Sequence, residues 1–170
     1  MNPAVASVLE PGAQSSGDSE PSQFLTFTSS RETYAIDTLC VREIIEYGQV
    51  TQVPMMPDFI RGVINLRGAV VPVIDLQARF SRGITRPGSR TCIVILEVLQ
   101  DGDSQVLGIV VDSVSEVIEI DLADIKPAPV IGNRIRGDFI RGMVRVRGEF
   151  LTLLQVDQVL CVSEIAGQLH

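Results

Sequence analysis

The chain has 170 residues, 45% apolar and 21% charged, with a formal charge of −7 and a single His at the last position, His170. One terminal His removes the usual general base, the Ser–His and Cys–His nucleophile pairs and any His-rich metal centre. Net acidity argues against a nucleic-acid backbone as partner, and the length suffices to bury roughly 70% of the unfolded surface.

Residues 1–22 are rich in Ser, Gly, Pro, Ala and Glu and contain neither Lys nor Arg. Such a segment lacks the apolar content that offsets ordering entropy, so a disordered tail is expected there. It also lacks the charged start and apolar run of a secretory signal. An ordered domain is expected over 23–165, followed by a flexible C-terminus over 166–170.

From Phe24 the pattern turns to strands. Phe24–Thr28, Tyr34–Ile36 and Thr91–Leu99 are β-like, and Gln105–Asp112 reads as the return strand of a hairpin. The intervening Asp101-Gly102-Asp103-Ser104 lacks the later ligands of a calcium loop and reads as a turn. Arg67-Gly68 and Arg147-Gly148, each between apolar runs, read as further hairpin tips. Short helices are expected at Pro57–Gly62, Asp75–Phe80 and Asp157–Ile165. Many short strands with Gly turns indicate a sandwich or barrel.

Cys40, Cys92 and Cys161 are odd in number, far apart and set among apolar residues. They read as free, buried thiols of a reduced, cytoplasmic protein. The longest apolar runs, such as Ala69–Ile74, are too short for membrane insertion. Asp37, Asp75, Asp112 and Glu116 supply carboxylates without the spacing of a catalytic dyad. No phosphate-binding glycine motif is present. No catalytic residue, metal or cofactor is therefore expected.

The chain repeats itself. Residues 59–76 align without a gap on 139–156, with Phe, Ile, Arg, Gly and a later Arg, Gly identical. Upstream, Ala35-Ile36 and Val41–Ile45 align on Gly108-Ile109 and Val114–Ile118. The economical reading is an all-β protein of two related barrels on a shared core, with a groove between them as the favoured binding site. Each copy carries R-G-x4-R-G, and Arg supplies nearly all positive charge, since Lys126 is the only Lys. Arg suits carboxylate pairing and protein interfaces. The glycines suit tight turns, and too few aromatic residues accompany them for RNA stacking.

Phe59-Ile-Arg-Gly-Val-Ile-Asn-Leu-Arg-Gly-Ala-Val-Val-Pro-Val-Ile-Asp-Leu76 resembles the signature of the CheW family of chemotaxis coupling proteins. So do Tyr34–Asp37 leading into Val41–Ile44, Gly108–Asp112 with Val114, and Ile125–Pro129. The resemblance runs from about Phe24 to Leu160. It implies two intertwined, pseudo-symmetric, five-stranded SH3-like β barrels with short helices and no catalysis. It further implies an adaptor that links the cytoplasmic tips of chemoreceptors to the regulatory domain of the histidine kinase CheA and takes part in array assembly.

By the same resemblance, Glu43 and Arg67 form a specific pair at the receptor-facing surface. Val41, Gly62, Cys92, Leu107, Gly108 and Val114 line or adjoin the groove. Ile131 matches a kinase and ring contact where the family often has Phe. Arg134, Arg136 and Arg145 exceed the family pattern. A coupling protein of a non-flagellar pathway, serving twitching or surface sensing, fits the same residues. An unrelated small β-barrel enzyme or binding module is the reading from outside the family.

Overall fold

The computed structural model describes residues 21–100, 102–128 and 137–161. Ten strands fill them. They are β1 (Pro21–Ser29), β2 (Glu32–Asp37), β3 (Val41–Glu46), β4 (Ile60–Leu66), β5 (Ala69–Asp75), β6 (Cys92–Gln100), β7 (Asp103–Val111), β8 (Ser113–Asp121), β9 (Ile140–Val146) and β10 (Glu149–Leu154). Two one-turn helices follow the hairpins of the repeats, α1 (Leu76–Arg79) after β5 and α2 (Val156–Val159) after β10.

The strands form two five-stranded sheets, ordered β8-β1-β2-β10-β9 and β3-β6-β7-β5-β4. Both sheets curl. In the first, Ile120 of edge strand β8 and Val144 of edge strand β9 pack into one cluster with Phe24, Ala35, Leu151 and Leu153. In the second, Ile64, Val71, Val73, Ile93, Ile95 and Val110 fill an equivalent interior. Ile64, Val71 and Val73 stand 80 residues before Val144, Leu151 and Leu153. Backbone bridges from Thr51 to Val63 and from Lys126 to Met143 cover the outer edges of β4 and β9. The expected pair of small, pseudo-symmetric barrels is therefore present.

The barrels are intertwined. β1 and β2 precede β3–β5 in the chain, yet they complete the barrel of β8–β10; β6 and β7 complete that of β3–β5. Parallel pairings make the exchange: Leu153 opposite Ala35 in one barrel, Val73 opposite Gly108 in the other. The hairpins β1–β2 and β6–β7 are buried on both faces. Alternate residues of β6 show why, because Ile93 and Ile95 enter the barrel interior while Val94, Leu96 and Val98 point the other way. The latter join Leu25, Phe27, Tyr34 and Ile36 in a third, central core between the barrels. This two-sided burial accounts for the unbroken apolar run in β6.

The hairpin tips at Arg67-Gly68 and Arg147-Gly148 are two-residue turns closing the pairs Leu66–Ala69 and Val146–Glu149. Both central residues have positive φ, 50° and 89° in one and 52° and 82° in the other. That is the type I′ geometry whose twist matches the flanking strands. Gln100 pairs with Asp103, so Gly102 lies at a hairpin tip; Asp101 lies outside the described residues.

Several expectations need correction. No helix forms over Pro57–Gly62; a turn with Ile60 N–H bonded to the Pro57 carbonyl leads directly into β4. Gly62 is the reason. Its φ is +146° and a Cβ there would lie 2.1 Å from the Thr51 carbonyl oxygen, beside the isolated bridge from Thr51 to Val63. Asp75–Phe80 does hold a helix, α1, capped by the Asp75 carboxylate accepting from Ala78 N–H at 3.3 Å. The helix expected at Asp157–Ile165 is the single turn α2, and its final residues lie outside the described ones. β1 begins at Pro21, two residues before the expected boundary. The tail over 1–20 and the terminus over 166–170 lie outside the described residues. The three cysteines are free but half-buried, with Cys40 and Cys92 packed on the edge of the central core. Among the described residues no helix is long and apolar enough to cross a membrane, and no group of side chains could hold a metal ion.

Candidate protein-docking site

The Arg67 side chain leaves the β4–β5 tip and reaches across the barrel to β3. Its Nη1 donates to Glu43 Oε1 at 3.3 Å and its Nη2 to Glu43 Oε2. Local structure prepares both partners. The Asn65 amide oxygen accepts from Gly68 N–H at 3.0 Å and fixes the tip. A bulge between Val41 and Glu43 shifts the register of β3 against β6, a device that re-aims a side chain. The Arg67 hydrogen bonds hold the Glu43 carboxyl below the usual carboxylate range, and the same bonds push the guanidinium up. Arg67 stays exposed, at 69%, while Glu43 is half-buried.

Beside this pair lies an apolar groove of about 700 Å³. Val53, Met56, Val63, Val70, Pro72 and Leu107 line it, and Arg42 and Arg67 also stand on its wall. Such a concave apolar surface with a few oriented charges suits a protein segment better than a reaction centre.

The structure brings three of the expected residues together: Glu43 and Arg67 form the pair, and Leu107 lies on the groove wall. Val41, Cys92 and Val114 lie elsewhere, half-buried against the central core where the two barrels meet. Gly62 and Gly108 lie inside the groove-bearing barrel. A Cβ at Gly108 would stand 2.7 Å from Ile93 Cγ2, so this glycine allows close packing of β7 on β6. Ile131, Arg134 and Arg136 lie outside the described residues.

Two arrangements escaped the sequence reading. Arg147 pairs with Glu116 through both terminal guanidinium nitrogens, at 3.0 and 3.4 Å. The sequence places Arg147 only at a hairpin tip, yet Glu116 is the repeat partner of Glu43 and Arg147 that of Arg67. The two alignment offsets, applied together, specify this pair. The second arrangement is internal. Asp75 is fully buried and accepts from Arg61 at 2.7 Å, from Thr85 N–H at 2.8 Å and from Thr85 Oγ1 at 2.7 Å. The carboxylate that looked available for chemistry is consumed in tying the loop after α1 to β4. The second repeat has Gln155 in its place, and Arg141 turns instead toward Asp37 at 3.8 Å.

Comparison with known proteins agrees with this geometry. The family model for the CheW-like domain matches residues 23–164. The chemotaxis protein CheW of Klebsiella aerogenes is 37% identical over 150 residues, covering 88% of each chain. Protein FrzA of Myxococcus xanthus is 35% identical over 122 residues, covering 71% of this chain and 73% of its own. The crystal structure of the scaffolding protein TtCheW from Thermoanaerobacter tengcongensis superimposes with a TM-score of 0.74 at 33% identity, covering 85% of this chain and 90% of that one.

Proposed function

The chain belongs to the CheW-like family and is a coupling adaptor of chemotaxis signalling; on that premise we propose that it links chemoreceptor cytoplasmic tips to the regulatory domain of a CheA-type histidine kinase and catalyses nothing itself. The observation that carries this reading is the Glu43–Arg67 pair beside an apolar groove. A receptor helix lays apolar side chains into the groove, the helix-in-groove mode of recognition. The ion pair, too exposed to matter much for folding, selects the partner and fixes its register.

Val41, Cys92 and Val114 border the junction of the barrels and extend the contact surface from the groove-bearing barrel toward the other. Gly62 and Gly108 hold the groove's shape from within. Ile131 serves the kinase side of the ring, as the family resemblance implies. The protein acts in the cytoplasm, at arrays of membrane receptors, and carries no cofactor.

Co-sedimentation tests this. Receptor cytoplasmic fragments assembled on vesicles, the kinase and this protein are mixed and pelleted. Stoichiometric incorporation, with kinase recruited only when the protein is present, is the expected result. Kinase recruitment at the same level without the protein would contradict it.

A further inference from the structure

The second repeat departs from the first on its β9–β10 face, the counterpart of the first repeat's Val63 and Val70, which line the groove. Side chains alternate along a strand, so Met143 and Arg145 of β9 face outward while Gly142 and Val144 are buried. Arg145 stands opposite Phe150 of β10, and its guanidinium lies 5.6 Å from the centre of that ring. Phe150 is 62% exposed. On the other side of β9 the exposed Lys126 bridges to Met143, which places it on the same face. Among the described residues neither Lys126 nor Arg145 has a carboxylate partner. The matching face of the first repeat carries Thr51, Val63, Asn65 and Val70 and bears no charge.

We propose that the β9–β10 face is a second docking surface, one that takes an acidic amphipathic segment of a partner protein. Two carboxylates settle on Lys126 and Arg145, and an apolar side chain between them packs on Phe150 and Met143. Charge complementarity selects this occupant. The chain as a whole carries −7, so an acidic segment is repelled over most of the surface and drawn to a sheet face with two cations that lack a carboxylate partner among the described residues. An exposed aromatic ring stacked with Arg is the usual kind of interface anchor. The repeats thus diverge in specificity, an apolar groove on one barrel and a cationic aromatic face on the other. This surface does not depend on the receptor-groove reading.

The test is selection of a displayed random peptide library on the full chain, with the selected peptides then titrated by NMR. Peptides are expected to carry two or more Asp or Glu around an aromatic or aliphatic residue and to shift resonances of β9 and β10. Their binding should weaken about tenfold or more in Lys126→Glu/Arg145→Glu and in Phe150→Ala. Peptides without acids, or unaffected by those substitutions, would overturn the proposal. So would peptides lost on Arg67→Glu, since they belong to the groove. Selection that succeeds only after deletion of residues 1–20 would also overturn it, because the chain's own acidic tail would then be the occupant.

Discussion

Arg79, the last residue of α1, donates its Nε–H to the carbonyl of Val159, the last residue of α2, at 2.7 Å. The two positions are 80 residues apart, equivalent in the repeat, and they meet where the barrels meet. The guanidinium also lies 5.0 Å from the ring of Phe59 and 4.8 Å from that of Phe139, another equivalent pair. One Arg therefore closes the junction between the repeats.

Arg79→Ala is expected to cost about 1–3 kcal/mol, the worth of a hydrogen bond from a charged donor together with two ring contacts. Arg79→Lys keeps the charge without the planar fork and should fall between the two. Urea denaturation measures both. An unchanged midpoint in Arg79→Ala would show that the shared core alone holds the junction.

Gly62→Ala is expected to be severely destabilising, by about 3 kcal/mol or more, because backbone strain and collision with Thr51 add. Gly68→Ala meets nothing within 4 Å and should cost about 1–2 kcal/mol, for the left-handed backbone alone. The contrast between the two, read from urea midpoints, separates collision from strain.

Arg67→Glu sets two acids together at the surface. The urea midpoint should stay close to that of the unaltered chain, while affinity for receptor fragments drops about tenfold or more. The swap Glu43→Arg/Arg67→Glu restores the pair and should recover part of the affinity. Because the folded Glu43 carboxyl is held low, the pair's contribution is present above the ordinary Glu range. It persists as pH falls through that range and is lost only as pH falls through the lowered value. Titrating receptor binding from neutral pH downward checks this; loss already at the ordinary Glu range would contradict it.

Burial, then the charge of Asp37, pushes the Cys40 thiol up to about 11. At pH 8 its reaction with a disulfide reagent should be roughly a hundredfold slower than that of a free Cys, measured in a Cys92→Ser/Cys161→Ser background. The raised value favours the neutral thiol. Its stabilisation is whole below the ordinary thiol range and fades as pH rises from there to about 11.

Much of the fold was legible because repetition and turn chemistry are local signals. The R-G tips announced hairpins, Asp75–Phe80 announced a short helix, and the 80-residue offset carried β4–β5 onto β9–β10. The exchange of β1–β2 and β6–β7 between barrels was not legible in the residues alone. Pairing Leu153 with Ala35 is a choice of partner, and an apolar strand buried on both faces suits either barrel. Pro57–Gly62 misled because its proline and glycine suit a short helix as well as a turn, and only the bridge to Thr51 decides. Glu116–Arg147 lay within reach. Each residue had been aligned, but neither offset alone joins a residue of β8 to the tip after β9.

The central claim is coupling, and the direct measurement is receptor control of kinase activity. Receptor fragments and kinase are reconstituted with the full chain, with Arg67→Glu, or with neither, and autophosphorylation is followed with and without attractant. The account predicts attractant-sensitive kinase activity with the unaltered chain, little control with Arg67→Glu and none without the protein. Full attractant control in the absence of the protein would contradict it.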